Sequence, residues 1–377
     1  MKFDLLYELQ MPKPHDAWSE YRCYHEALAQ IELADRLGFD TVWEVEHHFL
    51  TEFAHSSAPE VFLSAVAQRT KRIRIGHGVV LLPHRFNHPI QVAERVAALD
   101  ILSDGRVEFG TGRSSQFEQA GFEIDTETSR EMWQESLEMI PRMWTEDPFQ
   151  HRGRFVTVPP RSIVPKPLQK PHPPIWMAAT SPQSWETAGR NGIGILGLTI
   201  FVSVPQLEDR VRAYRQALTQ AKPVGRFVND KVGAFTIVHV AETKEQAVAN
   251  GGADAAINYL LYAFRVLGGF ADPSGRGMER DYADLEIKST PYRDLIAKEY
   301  PIIVKMRRNE CTFEDLDQED MVIVGDVDHC IRKIERYRKA GLDHFIALMQ
   351  ADRIPHAAVM RSIELFGREV IPYFRSS

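Results

Sequence analysis

The stretch EVEHHFLTEFA brings Glu46, His47, His48 and Glu52 together. An imidazole with a pKa near neutral takes and returns protons, so these residues suit general acid–base work. Neighbouring residues of an extended chain point to opposite faces, so at most one of the two histidines faces a given pocket. A satisfied structural pair would use the same residues, and so would a metal site built from Glu46, His47 and His48. The metal reading lacks its usual companions. The chain has no HxH and no HExxH, and the first strand ends in LYELQMP, with no histidine to complete a cluster.

Two further stretches suit an anion. In GRVEFGTGRSS, Gly110 and Gly112 let a ligand approach the backbone and Arg113 offers a guanidinium fork to a phosphate. A salt bridge at the rim of a fold would occupy the same arginine. In AATSPQSWETAGRNG, Thr180 and Ser181 precede Pro182 and a helical segment. Ser181 has N-cap chemistry, and free backbone amides at a helix start attract anions, although an ordinary capped helix reads identically. Residues 192–197, GIGILG, match GxGxxG in spacing only. That fingerprint needs a strand before it and a helix opening within it, whereas a helix precedes these residues and a strand follows.

These groups must be positioned by the elements around them. Short apolar runs alternate with longer segments of helical period, the pattern of repeated βα units. Strands are predicted at 3–8, 41–45, 73–82, 106–110, 175–179, 194–199, 232–240 and 344–349. The helix near 21–37 ends at Gly38 and that at 332–340 at Gly341, as helix termini do. Eight such units close into one (β/α)8 TIM barrel spanning 1–377, whose catalytic groups sit just after the strands. Two spacers, near 114–174 and 249–324, exceed a single helix and are expected as insertions at the barrel mouth. The first ends in VPPRSIVPKPLQKPHPP, read as an extended connector packed on the barrel. Met132, Trp133, Met139 and Trp144 are expected to pack on the barrel. The second spacer opens with AAINYLLYAFRVLGGF, where Tyr259, Tyr262, Phe264 and Phe270 need a partner surface. Its continuation at 268–280 is rich in Gly and suits a cover over the mouth.

Composition narrows the function. A net charge of −7 on 377 residues gives no basic footprint for nucleic acid. No run approaches the roughly 18 apolar residues of a membrane span, and the start of the chain lacks the apolar region of a signal peptide. Three cysteines, far apart, form neither a disulfide framework nor a thiolate metal site, which fits a reducing cytoplasm.

The segments MKFDLLYELQMP, GFDTVWEVEHHFLTEFA, IGHGVVLLPHRFNHPIQVAERVAALDILSDGRVEFGTGR and ATSPQSWETAGRNG together resemble the bacterial luciferase-like, flavin-dependent monooxygenases. Beyond residue 200 the likeness rests on strand order and on GDVDHCIRKIERYRKAGLDHFIALMQ. The resemblance makes His47 the catalytic histidine and gives the flavin phosphate to Arg113, Ser181 and Ser184, with Gly112 and Thr180 beside them. It also implies a non-proline cis peptide between Gly78 and Val79, at the flavin. Light-emitting members carry a reactive cysteine where Gly112 stands and a tyrosine where Gln116 stands, which argues against light emission. The implied activity is a monooxygenase using molecular oxygen and reduced FMN from a separate flavin reductase on a small organic substrate, in a homodimer. A deazaflavin-dependent dehydrogenase and a non-catalytic flavin-binding protein share the barrel and are the alternatives, with a metal-dependent barrel hydrolase the last competitor.

Overall fold

The computed structural model describes residues 1–267, 301–307 and 310–376. Eight parallel strands form the barrel: β1 Lys2–Tyr7, β2 Thr41–Glu44, β3 Arg74–His77, β4 Val107–Gly112, β5 Ile175–Ala178, β6 Gly194–Leu198, β7 Val232–Val240 and β8 His344–Leu348. Each pairs with the next, and β8 pairs with β1 (Phe3 opposite Phe345) to close the ring. Every predicted strand is found, with ends that differ by a few residues. GIGILG indeed joins helix to strand: helix Pro182–Asn191 ends at Gly192 and β6 begins at Gly194.

The predicted strand 73–82 is two pieces, β3 and Val80–Leu81, which pairs with the far end of β4. Between them the Gly78 amide donates to Glu44 O (2.7 Å). The expected cis bond between Gly78 and Val79 is absent; the cis peptides of the described residues all precede proline. A cis bond to a non-proline residue costs about 3 kcal/mol, and the backbone here reaches its hydrogen bonds in the trans form.

Large rings fill the lower barrel. Trp43 lies across its β3 neighbour Gly76, where a Cβ would stand 2.2 Å from the indole, so only glycine fits. Its Nε1 donates to Asp4, which also pairs with His344, and Trp176 Nε1 donates to Glu108. Indole nitrogens buried in a core need such partners.

The first long spacer divides in three. Helix Gln116–Gly121 lies at the mouth, helix Thr126–Thr145 is the barrel helix between β4 and β5, and Phe149–Arg152 with Thr157–Arg161 forms an antiparallel hairpin on its flank. Glu135 of that helix accepts the amides of Phe155 and Val156. The proline-rich connector returns past Gln169, whose side chain binds Asp100 and the Val107 carbonyl. Met132, Trp133, Met139 and Trp144 are buried as expected.

In the second spacer, helix Gly252–Leu267 docks on the mouth. Tyr259 Oη donates to Glu8 (2.7 Å) and Tyr262 Oη to Glu52 (3.0 Å), and Phe53 packs on both rings. These are the partners that the two tyrosines required. The side chain of Phe264, together with Phe270 and the run 268–280, lies outside the described residues. The spacer ends in Ile323–Gly325, a short strand that pairs with the end of β7. No helix among the described residues is long and apolar enough to cross a membrane.

Candidate active site

The eight residues that the resemblance assigns to catalysis and flavin binding, His47, Gly78, Val79, Gly112, Arg113, Thr180, Ser181 and Ser184, line one cavity at the carboxyl ends of the strands, whereas His48, Glu52 and Gly110 do not reach it. Non-glycine residues in the loops after the strands take left-handed backbones, among them Leu9 after β1, Phe49 after β2, Ser114 after β4 and Asp352 after β8. Such conformations cost about 1–3 kcal/mol each and persist where the surroundings hold them, often at functional sites.

The two histidines, just beyond the end of β2, point to different surroundings. His48 turns to Glu46 (3.2 Å) and packs among Phe86 and Phe122. Glu46 in turn accepts the Leu81 amide and the Asn87 side chain, both at 2.8 Å. His47 faces the cavity, its Nδ1 3.0 Å from Glu118 Oε1. Glu46, His47 and His48 therefore do not converge on one point.

Glu118 was not foreseen, although Ser115-x-x-Glu118 carries the capping-box signature of a helix start. It is fully buried and accepts the His48 amide (2.8 Å), Ser114 Oγ (2.5 Å) and Ser115 Oγ (2.9 Å) besides His47. Burial opposes its charge, but the His47 imidazole and these donors overcome it and pull the carboxyl down to about 2. The reciprocal effect acts on His47. Burial would lower its pKa, yet Glu118 first, then Glu8 and Glu46, leave it raised. The pair thus favours its ionised form, with Nδ1 committed to Glu118. No described residue hydrogen-bonds Nε2, which is the nitrogen open to a ligand.

Arg113 stands on another wall, half-buried, with Nη1 3.1 Å from Ser129 Oγ. Among the described residues no carboxylate lies within ion-pair distance of it, so the rim salt bridge is not formed. Burial first, and then nearby Arg130, lower its pKa, the mark of a cation short of an anion. Gly112 beside it leaves no room for a side chain, since a Cβ would meet Val79 Cγ2 at 2.4 Å. Ser181 caps helix Pro182–Asn191, exchanging hydrogen bonds with Ser184 in a capping box. A guanidinium with no carboxylate partner among the described residues and a helix amino terminus thus line the same cavity, and both are groups that attract anions.

Three residues beyond the expected set also shape the cavity. Trp133 reaches its wall from helix Thr126–Thr145, with Nε1 on Thr111 Oγ1 (3.2 Å). Glu8 and Tyr259 meet there through the hydrogen bond that docks helix Gly252–Leu267. Helical periodicity marked the two rings only as packing residues. The ending of β1, LYELQ, gave no sign that Glu8 would be buried.

Comparison with known proteins agrees with this architecture. The chain is 26% identical over 381 residues to the oxygenase component of a flavin-dependent trigonelline monooxygenase from Acinetobacter baylyi, covering 100% of this chain and 96% of that protein. It is 25% identical over 357 residues to an F420-dependent glucose-6-phosphate dehydrogenase of Amycolatopsis mediterranei, covering 91% and 92%. Among solved structures, a monooxygenase from Streptomyces bottropensis superposes with a TM-score of 0.75 at 26% identity, covering 99% of this chain and 100% of that one. The description of luciferase-like monooxygenases matches residues 9–344, and the chain belongs to that family.

Proposed function

We propose that this protein is the oxygenase component of a two-component monooxygenase, using reduced FMN from a separate reductase and molecular oxygen to oxygenate a small organic substrate. The observation that carries the reading is the pairing, in one cavity, of an anion site at Arg113 and Ser181 with the His47–Glu118 proton site. Arg113, Thr180, Ser181 and Ser184 would hold the FMN phosphate, with Gly78, Val79 and Gly112 forming the wall beside the cofactor. Bound there, reduced FMN supplies the electrons and oxygen activation that no side chain can provide. Glu118 fixes the orientation of His47, which holds or delivers a proton at Nε2. Trp43, Trp133, Met177 and Leu196 present apolar surface that keeps water from the reacting centre.

The relative named as an oxygenase component supports a reductase partner. Three free cysteines support a reducing, cytoplasmic setting, and the family resemblance supports a homodimer. The F420-dependent relative favours a second reading, hydride transfer with a deazaflavin on the same barrel. Equilibrium binding tests the cofactor assignment. Wild type should prefer FMN to riboflavin strongly, and Arg113→Ala should weaken FMN by about tenfold or more while leaving riboflavin nearly unchanged. Equal losses for both ligands would overturn the phosphate assignment, and anaerobic turnover with a deazaflavin would favour the second reading.

A further inference from the structure

Two buried carboxylates, Glu8 and Glu46, line the cavity and a third, Glu118, stands behind His47; they are not equivalent. Glu118 is matched by His47. Glu46 is met by a backbone amide, the Asn87 amide and His48. Glu8 is 3% exposed and, among the described residues, accepts only from Tyr259 Oη (2.7 Å) and Gln10 Nε2 (3.2 Å). Among the described residues no cation lies within ion-pair distance of it.

Aromatic rings surround the same spot. Tyr259 packs against Phe53 at 5.2 Å and against Phe235 at 6.3 Å, and all three line the cavity with Glu8. A desolvated carboxylate calls for a compensating cation, and aromatic faces attract cations through their quadrupoles. Burial lifts the Glu8 carboxyl to about 7 in spite of His47, Tyr259 and Gln10, as expected of a group whose counter-ion comes from outside. Arg113 follows β4, three strands round the barrel from Glu8 at the end of β1. The cavity therefore has an anion-seeking pole and a cation-seeking pole on separate walls.

We propose that Glu8, with Phe53, Phe235 and Tyr259, selects a substrate bearing a positively charged nitrogen, an organic ammonium or a cationic nitrogen heterocycle. The inference rests on the oxygenase reading for the reaction, while the cation site itself stands on Glu8 and its rings.

Calorimetric titration of the full-length protein, with and without FMN at pH 8, tests it with three probes of one shape: benzylammonium, benzyl alcohol and benzoate. Wild type should bind benzylammonium at least about tenfold more tightly than benzyl alcohol, the scale of a close buried charge pair, and benzoate least of all. Glu8→Gln should bring benzylammonium to within about twofold of benzyl alcohol without changing FMN affinity, and Glu8→Asp should restore part of the preference. Tyr259→Phe keeps Glu8 and the ring but removes a donor that holds the carboxyl down, so the preference should persist in weakened form, and the test holds even if Glu8→Gln fails to fold. Absence of a cation preference in wild type, its survival in Glu8→Gln or its loss in Tyr259→Phe would overturn the proposal. Failure of the FMN-over-riboflavin preference, with the cation preference intact, would instead sink the cofactor assignment.

Discussion

Glu118→Gln removes the charge from the His47–Glu118 pair while keeping a side chain that can still accept from the His48 amide. Burial favours the neutral imidazole, and Glu118 at 3.0 Å is the main force against it, with Glu8 and Glu46 behind. An opposite charge within about 4–6 Å changes a protonation equilibrium by roughly 10- to 1,000-fold. With two carboxylates left in place, the lower part of that range applies, about 10- to 100-fold, and His47 becomes harder to protonate. Where turnover needs the imidazolium, the variant should be slower by up to that factor on the basic side of neutrality and should approach wild type as the pH falls. The basic limb of its kcat/KM profile moves to lower pH. Following the His47 ring proton by NMR across the same range checks the cause independently of any substrate. Stability carries the same signature. The depressed Glu118 contributes above its unfolded value of about 4.3 and loses that contribution as pH falls to about 2. The raised His47 contributes below about 6.5 and loses its share as pH rises through the folded value. The stability deficit of Glu118→Gln should therefore peak near pH 5–6. A His47 titration unmoved by the substitution, or moved upward, would refute the reasoning.

Three other outcomes follow from the same geometry. His47→Ala should keep FMN affinity within a few-fold and lower product formation by about 100- to 10,000-fold, measured with excess reductase. Glu44 is wholly buried with neither carboxylate oxygen hydrogen-bonded, since Ser56 Oγ gives its hydrogen to the Val45 carbonyl. Burial raises its pKa far above the usual range, so the folded protein loses stability as pH rises above about 4.3. Glu44→Met should therefore stabilise the protein at pH 8 by about 1–3 kcal/mol and gain less at pH 5, read from thermal melts. Gly112→Ala drives a methyl into Val79, so it should cost about 1–3 kcal/mol and weaken FMN binding, while substitution at exposed Gln116 leaves both unchanged.

The barrel was legible because its signals are local. Each strand is a short apolar run, each preceding helix has a period and a stop, and Gly38 and Gly341 take the left-handed backbone that such stops use. The candidate site was legible in part for the same reason, since its residues follow strands and a barrel gathers strand ends at one face. What escaped was tertiary. Glu118 announces a capping box, but its partner His47 is 71 positions away and only the closed barrel brings them together. The burial of Glu8 depends on Tyr259, 251 positions along the chain. The break at Gly78 escaped because IRIGHGVVLL reads as one run with no turn signal inside it, while the Glu44 carbonyl that interrupts it comes from the neighbouring strand.

The most direct test supplies the protein with NADH, a flavin reductase, FMN and a panel of small organic substrates weighted toward organic ammonium compounds, under isotopically labelled oxygen gas. A product carrying one labelled oxygen atom, formed by wild type and abolished by His47→Ala, is the predicted result. Products that form without oxygen on addition of a deazaflavin, or that carry no label, would contradict it.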